Sequence, residues 1–162
     1  MGALRALTLA IPIVLASLLS HGCGVSFRDS FDGTEVFKGI SISGVGGDCV
    51  NRGGDWQCAG VSQLTVHMTV TDGYPVPVQV ACYMENPDTV TDDQEKLAFH
   101  ERAPMVAEAT LQPAAGAKPG DKHLQKQPLD MTFAAPPPGK YFVACVTPAA
   151  PDNGLGVNFT VS

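Results

Sequence analysis

The chain has 162 residues, 44% of them apolar, a length and composition that suit one folded domain. Ten basic side chains against sixteen acidic ones give a net charge of −6. No basic stripe with interleaved aromatics offsets that acidity, which argues against nucleic acid as a partner and leaves solubility as its plain consequence.

The start of the chain is not domain material. Arg5 precedes an uncharged run from Ala6 to Leu19, too short to span a bilayer comfortably and followed at once by small residues, so residues 1–22 read as a secretory signal peptide. Its removal leaves nine basic and sixteen acidic side chains, a net charge of −7.

The end of that segment, Leu18-Leu19-Ser20-His21-Gly22-Cys23, resembles the lipobox of bacterial lipoproteins, in which cleavage precedes a lipid-modified cysteine. Gly22 and Cys23 match the pattern, whereas Ser20 stands where leucine is usual and His21 where a small residue is usual. The resemblance implies a lipid on Cys23, a membrane as partner and a place in the bacterial cell envelope. Ser20 and Gly22 also satisfy ordinary signal peptidase, which would release a soluble secreted product. Five cysteines leave one odd thiol in an exported chain; Cys23 lies outside the folded part, and Cys49, Cys58, Cys82 and Cys145 form an even set.

Residues 23–33 are small, polar and glycine-punctuated and read as a tether, and 34–162 form the domain. Thr34 to Ser43 is a first strand through Val36, Ile40 and Ile42. Residues 44–60 read as a glycine-rich loop that a Cys49–Cys58 disulfide can pin, removing about 2–3 kcal/mol of unfolded-chain entropy. That loop carries the only tryptophan, so Asp48, Arg52, Asp55 and Trp56 are the candidate partner-binding residues. A Trp56 folded back onto the sandwich edge is the alternative.

Val61 to Thr71 is a strand with Leu64, Val66, Met68 and Val70 on one face and Gln63, Thr65, His67 and Thr69 on the other. After a turn at Asp72 to Pro75, Val78, Val80, Cys82 and Met84 alternate in the next strand. Thr91 to Glu95 has the pattern of a helix start, giving a short helix over 94–99 or a polar connection with one helical turn. Met105 to Leu111 is a weaker strand, 114–127 an exposed and mobile loop, and Leu129, Met131 and Phe133 mark another strand. Pro136-Pro137-Pro138-Gly139 turns into a last hairpin, 139–148 and 155–161, joined through Pro151 to Gly154. About seven strands make an all-β, Greek-key β-sandwich.

Cys82 and Cys145 on inward faces resemble the cysteine pair of immunoglobulin-like domains, which implies a disulfide bridging the two sheets. Tyr141 lies four residues before Cys145 rather than two, and no tryptophan follows Cys82 closely. The last hairpin is also similar to that of cupredoxins, in which histidine and methionine follow the copper-binding cysteine. Ala150 and Leu155 occupy those places here, so the resemblance implies the strand pair without the copper.

Other chemistry is sparse. His67, His100 and His123 lack ligand-spaced neighbours and read as structural or solvated, and no cofactor is expected. Asp88, Asp92, Asp93 and Glu95 match no calcium-loop spacing and read as a solvated acidic segment. The acceptor pattern Asn158-Phe159-Thr160 falls in a strand and carries little weight. No catalytic motif is present, although triads assemble from distant residues. The expectation is a binding or scaffolding module whose loops meet another envelope protein, a glycan or a host surface. A small envelope enzyme or an accessory subunit of one, using the 88–95 segment or loop histidines, and a purely structural envelope role are the alternatives.

Overall fold

The computed structural model describes residues 36–162 except 72, 74 and 149, and the side chains of 150–153 are also left aside. Residues 1–33, read above as a signal peptide and tether and including Cys23, together with the side chain of Ala150 and parts of two turns, therefore lie outside the described residues.

Two sheets face each other. Strands β1 (Phe37–Val45), β4 (Gln63–Val70) and β7 (Gln127–Ala134) form one, in the order β1-β4-β7. The other has six strands in the order β2-β3-β9-β8-β5-β6, with β2 (Asp48–Arg52), β3 (Asp55–Ala59), β5 (Val78–Glu85), β6 (Met105–Leu111), β8 (Gly139–Thr147) and β9 (Ala150–Val161). Neighbouring strands run antiparallel except β3 and β9, which are parallel.

Alternation dictates this layering, because a strand with one apolar face needs a second sheet to bury it. Leu64, Val66, Met68 and Val70 on β4 are buried, as are Leu129, Met131 and Phe133 on β7. They meet Val80, Cys82, Val143, Cys145, Val157 and Phe159 from the opposite sheet in one core. Each such side chain, once fully buried, contributes about 1.5–3 kcal/mol. Pro128 is accommodated because β7 is an edge strand and its missing N–H breaks no central ladder. Gly39 supplies the positive φ, 66°, at the bulge between Lys38 and Ile40.

Several expectations need correction. Residues 44–60 are not a loop: β2 and β3 pair around Arg52-Gly53-Gly54-Asp55, and β3 adds to β9, which raises the strand count to nine among the described residues. A Cys49–Cys58 disulfide joins facing positions of that hairpin. Cys82 and Cys145 are also disulfide-bonded, but they face each other on adjacent strands of one sheet, so their bond does not bridge the two sheets. The 94–99 helix is instead a 3-10 turn, Gln94–Lys96, followed by the short helix α1, Phe99–Arg102.

Strand β8 departs from strict alternation, with Val143 to Thr147 all buried. At Ala144 the reason is the α1 segment, where Phe99 and the following Ala103 pack over the outer face beside Phe142, with the Phe99 and Phe142 ring centroids 5.3 Å apart. The 114–127 loop, expected to be mobile and exposed, is pegged by Leu124, which is fully buried in the core. Gln125 secures the same loop by donating to Asp121 and to the His123 carbonyl while accepting from the Ala114 N–H.

Candidate functional site

Three places on the surface concentrate chemistry, and the first is a cleft of about 420 Å³ at the end of β5. Met84 and Glu85 at the close of β5, Tyr141 on β8 and the Pro136-Pro137 turn frame it, with the 86–104 segment as the far wall. That segment is mostly polar and makes only short helical turns, so packing alone would not fix it. Arg102 does so. Its Nε and Nη2 donate to the two Glu85 oxygens at 2.8 and 3.0 Å, and its Nη1 donates to the Leu97 carbonyl at 3.0 Å.

Both side chains of this fork are part-buried, at 13% and 12% exposure, which sets the bidentate pair apart from a fully exposed surface contact. Hydrogen bonding to the Glu85 carboxylate raises the Arg102 guanidinium above its ordinary value, against the opposing effect of burial. The guanidinium also lies 5.6 Å from the Phe99 ring centroid. With every Glu85 oxygen engaged, the pair acts as a clamp.

The cleft's other polar groups are held in the same way. Asn86 Oδ1 accepts from the Asp88 N–H, and Gln94 Oε1 accepts from the Thr91 N–H and hydroxyl. Each oxygen is thereby fixed, while neither carboxamide NH₂ has a partner among the described residues. The unpartnered NH₂ groups of part-buried Asn86 and exposed Gln94, beside Tyr141, three prolines, Met84 and Val90, are the kind of donor set small-ligand and peptide sites use.

The second place is the outer face of the three-stranded sheet, where Thr65 and Thr132 hydroxyls meet at 2.9 Å. Beside them, Ser43 Oγ lies 2.6 Å from His67 Nε2, and His67 Nδ1 lies 2.8 Å from Asp130 Oδ1. His67 is thus on the outer strand face as expected, but it is not merely solvated. The imidazole joins all three strands.

The third is the β2–β3 hairpin. Asp48, Arg52 and Asp55 are exposed at its ends, and Val50 on the edge strand is 52% exposed. Trp56 is half-buried and packs against the core, so the hairpin tip presents Arg52 and Asp55 without the indole. The acidic segment is solvated: Asp88, Asp92, Asp93 and Glu95 are exposed, with Asp93 accepting from Lys96. Among the described residues no group of three His, Cys, Asp or Glu side chains converges as a metal site, and no helix is long and apolar enough to cross a membrane.

No family model, curated protein or solved structure matches this chain. The two disulfides fit an oxidising, extracytoplasmic environment.

Residue order gave no direct sign of either built site. Ser43, His67 and Asp130 are separated by 24 and 63 positions, and Glu85 and Arg102 by 17. The available signal for the first was register: once His67 and Asp130 are placed on outward faces of neighbouring strands, their pairing follows.

Proposed function

We propose that this chain is an exported cell-envelope protein, lipid-anchored through Cys23, that binds a partner at loops of an immunoglobulin-like Greek-key sandwich. The observation that carries the binding role is the cleft, with the free NH₂ groups of Asn86 and Gln94 on an apolar frame. Its one ion pair is internally neutralised, so it favours an uncharged ligand rich in hydrogen-bond acceptors, offered by an envelope protein or a glycan. Binding, not turnover, is the role of this site, because no free acid, base or nucleophile lines it.

Two features support the finer reading of the fold. Without the β2–β3 hairpin, the strand orders are β1-β4-β7 and β9-β8-β5-β6, orders that support an immunoglobulin-like reading. Tyr141, near the start of β8, donates to the Pro137 carbonyl at 2.8 Å, the kind of back-bond a tyrosine corner makes, although it lies four residues before Cys145 rather than two.

The test is an NMR titration of the full mature chain with peptidoglycan fragments and, separately, with uncharged proline-containing peptides. The expected result is movement of the Asn86 and Gln94 side-chain amide signals, lost when Thr89→Trp fills the cleft. Shifts confined to Arg52 and Asp55 would instead move the binding surface to the hairpin, and no shifts with either ligand class would remove the binding role from the cleft. Mass spectrometry of the native N-terminus, finding diacylglycerol or an unmodified thiol on Cys23, decides the anchor.

A further inference from the structure

The line Ser43–His67–Asp130 has a chemical order that a random cluster of polar side chains lacks. A carboxylate holds Nδ1 of an imidazole and a hydroxyl faces Nε2, at 2.8 and 2.6 Å. The carboxylate accepts from Nδ1–H, so the neutral imidazole presents the Nε2 lone pair to the Ser43 hydroxyl. That is the disposition of a nucleophile, its general base and the group that orients the base. We propose that Ser43 is an activated nucleophile that accepts acyl groups from esters at the open face of the three-stranded sheet.

The sheet accounts for the geometry. Asp130 is directly opposite His67 in the β4–β7 ladder, and Ser41 is directly opposite it in the β1–β4 ladder. Ser43 is therefore the diagonal neighbour of His67, within reach of a side chain. Three hydrogen-bonded strands fix these positions more firmly than loops would. Access is open, since the His67 and Asp130 side chains are 39% and 61% exposed. On the Ser41 side of the imidazole runs a shallow groove of about 370 Å³ lined by residues 38–41, Thr69, Pro128 and Asp130. Ser43 is not part of its lining, so an ester would reach Ser43 from solvent with the groove beside His67.

The reaction balances without a cofactor. As Ser43 Oγ bonds to the carbonyl carbon, its proton passes to His67 Nε2. The ester C–O bond then breaks and the departing alcohol takes that proton. Water next attacks the acyl carbon, gives a proton to Nε2, and Ser43 leaves as the hydroxyl, so ester and water become acid and alcohol. Because the face is open to solvent, the site is best suited to esters of acidic alcohols, whose departure requires little protein assistance. Ser43 and His67 touch the reacting atoms, and Asp130 is a positioning residue.

The test uses the full mature chain with p-nitrophenyl acetate, following p-nitrophenolate release and locating acetyl groups by peptide mass mapping. The expected result is acetylation of Ser43, abolished at that peptide by Ser43→Ala and slowed about 10²-fold by His67→Ala. Asp130→Ala should slow it as well, with recovery in Asp130→Glu, while Thr132→Ala leaves the rate unchanged. Melting temperatures of all variants separate chemistry from folding. A His67→Ala variant that melts lower yet acylates Ser43 at the original rate would reduce the array to a strand clamp. Labelling that spares Ser43, or that is spread over lysines, overturns the proposal.

Discussion

The Glu85–Arg102 fork is the contact whose loss should be felt most per atom removed. Arg102→Ala leaves a carboxylate that is 12% exposed facing the space where the guanidinium had been, and losing the charged hydrogen bonds of this part-buried pair costs about 1.5–3 kcal/mol. The same change releases the Leu97 and Glu95 carbonyls that Arg102 Nη1 serves, but these are at the surface, where water replaces the donor. The cost is therefore dominated by the orphaned charge. At this chain length it corresponds to a fall in melting temperature of about 5–10 °C. The double variant Glu85→Leu/Arg102→Met removes both charges and keeps the volume, so it should regain most of the loss. Urea denaturation monitored by circular dichroism, run as a double-mutant cycle, gives the coupling directly. An Arg102→Ala variant destabilised by less than about 1 kcal/mol, or a double variant no more stable than the single one, would refute the clamp account. Glu85 holds the Arg102 pKa above its unfolded value. The stability from this shift is fully present below the unfolded pKa and is lost only as strong alkali titrates the folded group. No part of the arginine's contribution should fade between about pH 5 and 9.

The disulfides should separate by loop size. Replacing Cys49 and Cys58 by alanine, with a separation of 9 residues, should cost about 2.7 kcal/mol, and replacing Cys82 and Cys145, with a separation of 63, about 4.3 kcal/mol, measured as shifts in urea midpoint. Gly47→Ala should destabilise by about 1–3 kcal/mol, because an added Cβ would overlap the Ala59 carbonyl oxygen and the Gly60 backbone, where no side chain can swing aside. Gly53→Ala has open space and suffers only from its φ of 67°, so its loss in melting temperature should be the smaller.

Strands with a clear apolar face were readable, β8 among them, whereas its two-sided burial and the largely exposed β2–β3 pair were not. On β4 and β7 the apolar residues fall on every second position because the outer side meets water, so period alone located them. On β8 that period is lost because α1 dries part of the outer face at Ala144, a long-range contact that no local window contains. The β2–β3 hairpin was hidden by composition, being polar, glycine-rich and five residues per strand. Its symmetry was nevertheless present in the order of residues: Gly53 and Gly54 stand midway between Cys49 and Cys58, which is what a two-residue turn with facing cysteines requires. The candidate binding loop was legible as a disulfide-closed excursion, but not the half-burial of Trp56, which depends on β3 docking beside Phe159 of β9. The cleft escaped because Arg102 is unremarkable in sequence and gains its role only where the 86–104 segment folds back over β5.

The position of the Cys82–Cys145 bond alters how the sandwich should come apart. Both disulfides tie neighbouring strands of the six-stranded sheet, and among the described residues none reaches the three-stranded sheet. The two sheets cohere through side-chain packing, including the approach of the Cys82 sulfur to Met131 Sδ at 3.5 Å. Opening β1-β4-β7 away from the core breaks no covalent bond, whereas separating β5 from β8 is blocked by one. Amide hydrogens of β4, though central in its sheet, should therefore exchange through an opening of lower free energy than those of β5 and β8. Met131→Ala should widen that gap: it costs about 2–5 kcal/mol by leaving a void against the disulfide, and the loss falls on the inter-sheet contact. Hydrogen exchange read by NMR in both proteins distinguishes this from a sandwich that opens as one unit. Equal protection of β4 and β8, falling in step when Met131 is truncated, would show that packing couples the sheets as tightly as a covalent bridge.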